Sequence, residues 1–127
     1  MDDVTYEPFG FEKLEVWQKA RTLAGTVYKV AKAFPRDELF GLTSQIRRAG
    51  VSVALNIAEG ASRSSGKDQA RFFEMAFGSL NEVSTLLYIA LDQELITQDR
   101  LSGPRSEIAV IGRMLSGLRR TALQRRH

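Results

Sequence analysis

Between residues 67 and 94, Phe72, Phe73, Ala76, Phe77, Leu80, Val83, Leu87 and Leu91 fall on one face at helical spacing. A helix this one-sided must bury its stripe against other elements. The same period recurs over residues 14–34, through Trp17, Ala20, Ala24, Val27, Tyr28 and Ala31, until Pro35 stops it. A second helix is expected over 37–59, with Gly60 as its stop. A polar loop over 61–66 follows, and Ser65 with Asp68 three residues on is placed to cap the third helix. Thr97 is the N-cap of a last helix ending near Leu123. Gly103-Pro104 favours a short first segment joined to a main helix that begins at Pro104, the alternative being one helix that starts at Thr97 and kinks there. No stretch alternates with the period of a strand. Connections of about four to eight residues then give an all-α, antiparallel up-down-up-down four-helix bundle over 13–123. It is preceded by an arm (1–12) and followed by a basic tail (124–127).

Residue types narrow the function. A chain of 127 residues supports one domain, and 43% apolar with 26% charged residues is globular composition. Cysteine is absent and His127 is the only histidine, so disulfides, thiolate or imidazole metal ligands and histidine-based catalysis are not expected. Gly41, Gly50, Gly60, Gly66 and Gly78 form no phosphate-binding loop. Ser62, Ser64 and Ser65 have no base to activate them. No apolar run approaches the roughly 20 residues of a membrane span, and Met1-Asp2-Asp3 does not open a secretory signal. The expectation is a cytoplasmic, non-enzymatic protein with no catalytic residue, cofactor, metal or membrane contact.

The second helix is apolar on two sides. Leu39, Leu42, Ile46, Ala49, Val53 and Ile57 make a core stripe, and Val51, Leu55 and Ala58 make a second strip. A helix apolar on two sides is usually buried on two sides, so the second strip predicts self-association. Ala49, Gly50, Ser52 and Ala54 are small enough for a neighbouring helix to come close. Between the strips, Gln45, Arg48, Ser52, Asn56 and Glu59 line up as one polar stripe. Nothing nucleophilic or metal-binding accompanies them. A hydrogen-bonded network fixing register between helices or subunits is favoured over a binding site.

The net charge of +3 is unevenly spread. Asp2, Asp3, Glu7, Glu12 and Glu15 stand against Lys13 alone at the start. After Glu107 the only charged residues before His127 are Arg113, Arg119, Arg120, Arg125 and Arg126. Bundle topology places Arg63, Lys67 and Arg71 at the same pole as Arg119, Arg120, Arg125 and Arg126. The other pole holds Asp37, Glu38, Asp92, Glu94 and Asp99, diluted by Arg36 and Arg100. An arginine-rich pole suits contact with a phosphate backbone. It is also what a solvated face, a helix C-terminus or the returning acidic arm would produce. Phe72, Phe73, Phe77, Trp17 and Tyr28 are expected in the core. Phe9 and Phe11 are expected to clamp the arm onto the bundle or a neighbour.

Three groups of residues carry a family resemblance. The first is Phe34-Pro35, Gly41-Leu42-Thr43-Ser44-Gln45-Ile46-Arg47-Arg48-Ala49 and Asn56-Ile57-Ala58-Glu59-Gly60. The others are Leu14-Glu15-Val16-Trp17-Gln18-Lys19-Ala20, and Arg71-Phe72-Phe73 with Gly78-Ser79-Leu80-Asn81-Glu82. Over residues 11–118 the chain resembles the four-helix-bundle family named after proteins encoded in 23S rRNA intervening sequences. The resemblance implies an antiparallel bundle assembled as a homopentamer, with Gln45, Arg48, Asn56 and Glu59 at landmark polar positions. A related branch, accessory proteins of diversity-generating retroelements, binds nucleic acid beside a reverse transcriptase. The resulting expectation is weak, sequence-independent RNA or DNA binding through the arginine-rich pole of a homo-oligomer. The alternative is an adaptor scaffold that binds a protein partner and no nucleic acid.

Overall fold

Four α-helices, α1 (Glu15–Ala31), α2 (Ser44–Ala61), α3 (Gly66–Asp92) and α4 (Gln98–Leu123), make up most of the computed structural model, which describes residues 10–125. Short 3-10 turns occupy Gly10–Lys13 and Arg36–Glu38, and no strand occurs among the described residues. Residues 62–65 and 93–97 are the only links between α2 and α3 and between α3 and α4. Links that short make consecutive helices antiparallel. Side-chain pairs confirm the direction. Ser52 meets Ser79 while Gly60 meets Phe73 across α2 and α3, and Glu74 meets Arg119 while Tyr88 meets Arg105 across α3 and α4.

Leu23 of α1, Ile46, Val53 and Ile57 of α2, Leu80, Val83 and Leu87 of α3, and Leu101, Ile111 and Leu115 of α4 form one apolar core. Each such side chain, fully withdrawn from water, contributes roughly 1.5–3 kcal/mol. The caps follow the sequence. Ser65 Oγ accepts the Asp68 N–H at 3.1 Å, and Thr97 Oγ1 accepts the Arg100 N–H at 3.3 Å. The C-terminus of α3 closes at Glu94, whose φ of 62° is left-handed. The Leu95 N–H reaches the Ala90 carbonyl at 2.8 Å and the Glu94 N–H reaches Leu91 at 3.0 Å. Glycine occupies that conformation without a Cβ penalty. Glu94→Gly is therefore expected to raise stability by about 0.5–1 kcal/mol in chemical denaturation.

Three sequence expectations change. The second helix does not run unbroken from residue 37. Residues Leu39–Thr43 form a wider π-type turn, in which Gly41 leaves helical geometry (φ −113°, ψ −111°), and α2 proper begins at Ser44. The shift in register carries Leu39 off the core face and leaves Phe40 93% exposed. The last helix, conversely, is continuous through Pro104. Gly103 presents no Cβ to clash with the proline ring, Pro104 itself is buried, and the carbonyl it cannot pair belongs to solvent-exposed Arg100. Among the aromatics, only Phe73 of the third-helix trio is buried. Tyr28 and Phe77 lie at the surface and Phe72 is half-buried. Phe11 packs edge-on against half-buried Trp17, 5.0 Å between ring centres, fixing the start of the bundle; Phe9 lies outside the described residues.

Candidate functional site

The end of α2, the start of α3 and the end of α4 converge because two glycines allow it. At Gly60 the rings of Phe72 and Phe73 occupy the space where a Cβ would project, and at Gly66 the Ala122 carbonyl does. That junction assembles Arg63, Lys67, Arg71, Arg119, Arg120 and Arg125 at one end of the molecule, as sequence reasoning expected; Arg126 lies outside the described residues. Arg125 donates to the Gln69 side chain, joining the tail of α4 to the first turns of α3. Arg63 and Arg71 both lie over the Phe72 ring, with guanidinium carbons 4.7 and 4.6 Å from its centre. Phe72 is thus a platform for two cations.

Carboxylates temper the cluster. Glu59 pairs with Arg63, Asp68 lies 3.9 Å from Arg71, and Glu74 accepts from Arg119 Nε at 2.6 Å. All three pairs are 40–59% exposed, where such contacts contribute about 0–1 kcal/mol. Six cations against three carboxylates leave a positive pole. Lys67 and Arg120 have no ion-pair partner among the described residues. The helix dipole separates the members further. Arg119 and Arg120 near the end of α4 complement its negative terminus, whereas Lys67 in the first turn of α3 opposes the positive one. Lys67 therefore has no dipole rationale, and an anion placed there meets both its charge and the helix N-terminus.

The polar stripe of α2 resolves into separate local contacts. Ser52 and buried Ser79 share a hydrogen bond of 2.9 Å, and Asn56 Nδ2 donates to the Ser52 carbonyl and hydroxyl at 3.0 and 3.1 Å. The Ser52–Ser79 bond ties α2 to α3, and Asn56 supports Ser52 from within α2. Arg48 instead donates to Ser44 Oγ at 3.1 Å, Glu59 turns to Arg63, and Gln45 is exposed. Arg48 and Glu59 are not each other's partners, so within the single chain the stripe makes separate contacts rather than one continuous network.

The second apolar strip of α2 lies open within the single chain. Leu55 is 63% exposed, and Val51 and Ala58 are half-buried. Val51 continues into a groove of about 510 Å³ with Tyr28, Leu39, Phe40 and Arg47. Arg47 lies 5.0 Å over the Tyr28 ring, and its buried Nε has no hydrogen-bond partner. Sequence periodicity missed Leu39 and Phe40 here because it carried helix two through Gly41. A second groove, of about 580 Å³ and mostly apolar, runs between α3 and α4 past Phe77, Ile108, Gly112 and Arg120. Its signal in the sequence was Gly112, which contributes no side chain to fill the space beside Phe77. Among the described residues no group of three or more His, Cys, Asp or Glu side chains could hold a metal ion, and no helix is long and apolar enough to cross a membrane.

Comparison with known proteins places these features in context. The model of the 23S rRNA-intervening sequence protein family matches residues 12–117. Curated proteins gave no match. A crystal structure of a protein of unknown function from the S23 ribosomal protein family of Bacteroides thetaiotaomicron superposes with a TM-score of 0.75 at 23% identity. The alignment covers 81% of this chain and 96% of that one, a likeness of fold.

Proposed function

This chain belongs to the 23S rRNA-intervening sequence protein family, and from that premise we propose a non-enzymatic, cytoplasmic homo-oligomer, a pentamer as the resemblance implies, that binds RNA or DNA weakly and without sequence preference. The observation that carries this reading is the junction at Gly66, which sets Lys67 and Arg71 beside the arginines of α4. Cations with only exposed partners bind phosphate oxygens by releasing counterions, with no base contact needed. Repetition of the pole around an oligomer multiplies a modest local charge.

Fluorescence anisotropy with a structured RNA and a duplex DNA tests it. With about three phosphate contacts per pole, affinity should fall on the order of tenfold to fiftyfold between about 50 and about 200 mM salt. Lys67→Glu with Arg120→Glu should weaken binding by at least about another tenfold, since both charges reverse and neither forms an ion pair among the described residues. Arg119 is a poorer target, because reversing it sets two carboxylates together at Glu74. Absence of binding at about 50 mM salt rejects the reading. The adaptor alternative would then hold, with the apolar α3–α4 groove beside Phe77 as the surface that favours a protein partner.

A further inference from the structure

Two open apolar surfaces lie on different elements of the bundle: the exposed strip of α2 around Leu55, and the groove between α3 and α4 where Phe77 is exposed beside Gly112. Contacts between the helices fix their heights along the bundle. The Ser52–Ser79 bond and the close approach of Gly60 to Phe73 bracket Leu55 at the level of Phe77. The Glu74–Arg119 bond sets Phe77 level with Ser116, which lines the same groove. Knob and cleft therefore stand at one height. Charge supplies a direction. Glu59, one turn beyond Leu55 toward the basic pole, is level with Arg120 at that end of the groove, and Arg120 has no ion-pair partner among the described residues. Arg48, two turns the other way, is set toward uncharged Asn81 at the opposite end. A copy turned end over end would bring Arg48 toward Arg120 instead, like against like.

We propose that the α2 strip of one copy of this chain seats in the α3–α4 groove of the next, Leu55 against Phe77 and Gly112, with the two bundles parallel. This deepens the homo-oligomer reading above and rests on it. Matching heights and a complementary charge at the rim select a second copy as the occupant, the rim pair setting direction more than affinity. Because two different surfaces meet, each copy offers one and receives the other, and the contact repeats until it closes into a ring. Parallel bundles in such a ring present every basic pole on one side, the arrangement that multivalent phosphate binding requires.

The chain has no cysteine, so engineered thiols report the contact without background. Leu55→Cys with Ser116→Cys in one full-length chain should, on mild oxidation, give a ladder of covalent dimers, trimers and higher species. That ladder should stop at the subunit number measured by light scattering. Leu55 and Ser116 are both exposed, so neither substitution removes a core side chain. Leu55→Cys alone and Ser116→Cys alone should form covalent dimers at least about tenfold more slowly, because neither site meets its own copy in a contact between unlike surfaces. Ready dimerisation of Leu55→Cys alone would set strip against strip and overturn the proposal. An assembly of wild-type mass whose double variant forms no ladder also overturns the seating in this groove, while leaving the homo-oligomer reading in place. A wild-type protein of single-chain mass rejects the homo-oligomer reading itself, and the seating with it.

Discussion

Gly66→Ala is expected to destabilise the bundle by about 2–4 kcal/mol and to lower the melting temperature by roughly 5–15 °C. The added Cβ would lie 2.0 Å from the Ala122 carbonyl oxygen and 3.4 Å from Arg125 Cβ. The obstacle is backbone, so no rotamer change relieves it. The last turn of α4 must move away from the first turn of α3, and the Arg125–Gln69 contact goes with it. Gly25→Ala provides the contrast. Nothing lies within 4 Å of a Cβ there, and alanine in an open helix interior should stabilise by about 0.5–1 kcal/mol. Thermal unfolding of the two variants side by side checks the prediction, and an unchanged midpoint for Gly66→Ala rules out the close approach. Because the same junction assembles the basic pole, Gly66→Ala should also weaken RNA binding while leaving every cation in the sequence.

That substitution marks the boundary of what the sequence made legible. Periodicity located α1, α3 and their core faces because apolar stripes are set by local geometry. Ser65 and Thr97 announced their caps because capping is likewise local. The pole was legible because short links leave antiparallel helices no choice of which ends meet. Sequence reasoning could not see that Gly60 and Gly66 are the contact points of that meeting. Glycine signals a turn or a close approach equally, and only packing distinguishes them. It also carried helix two through Gly41, where one departure from helical geometry moves Leu39 and Phe40 to the surface. At Pro104 it gave a local penalty more weight than tertiary burial, and burial won. The polar stripe read as one network on a helical wheel, but a wheel ignores neighbours; Ser79 of α3 bonds Ser52, which also accepts from Asn56, while Arg48 and Glu59 find partners on α2 and the loop after it.

Leu55→Glu is expected to reduce the solution mass from a multiple of the 14.2 kDa chain to that of a single chain. Leu55 is 63% exposed and supports little of the fold by itself, so the monomer should keep its helical content and most of its melting temperature. In an assembly closed through Val51, Leu55 and Ala58 the new carboxylate would be withdrawn from water at every interface. Desolvating an unpaired charge costs several kcal/mol each time, more than a modest interface can offset. Met75→Glu tests whether the effect is local, since Met75 is 46% exposed on α3 and lies outside this strip. Its mass by sedimentation or light scattering should be unchanged. A Leu55→Glu protein that keeps the wild-type mass would exclude this strip as the interface, and a wild-type protein of single-chain mass would exclude the assembly itself. The dissociated variant also measures how much of the RNA affinity comes from repetition. Lys67 and Arg120 remain in place on each chain, so a loss of roughly ten- to a hundredfold in affinity would come from multivalency alone, and the salt dependence should flatten as fewer phosphates are engaged at once.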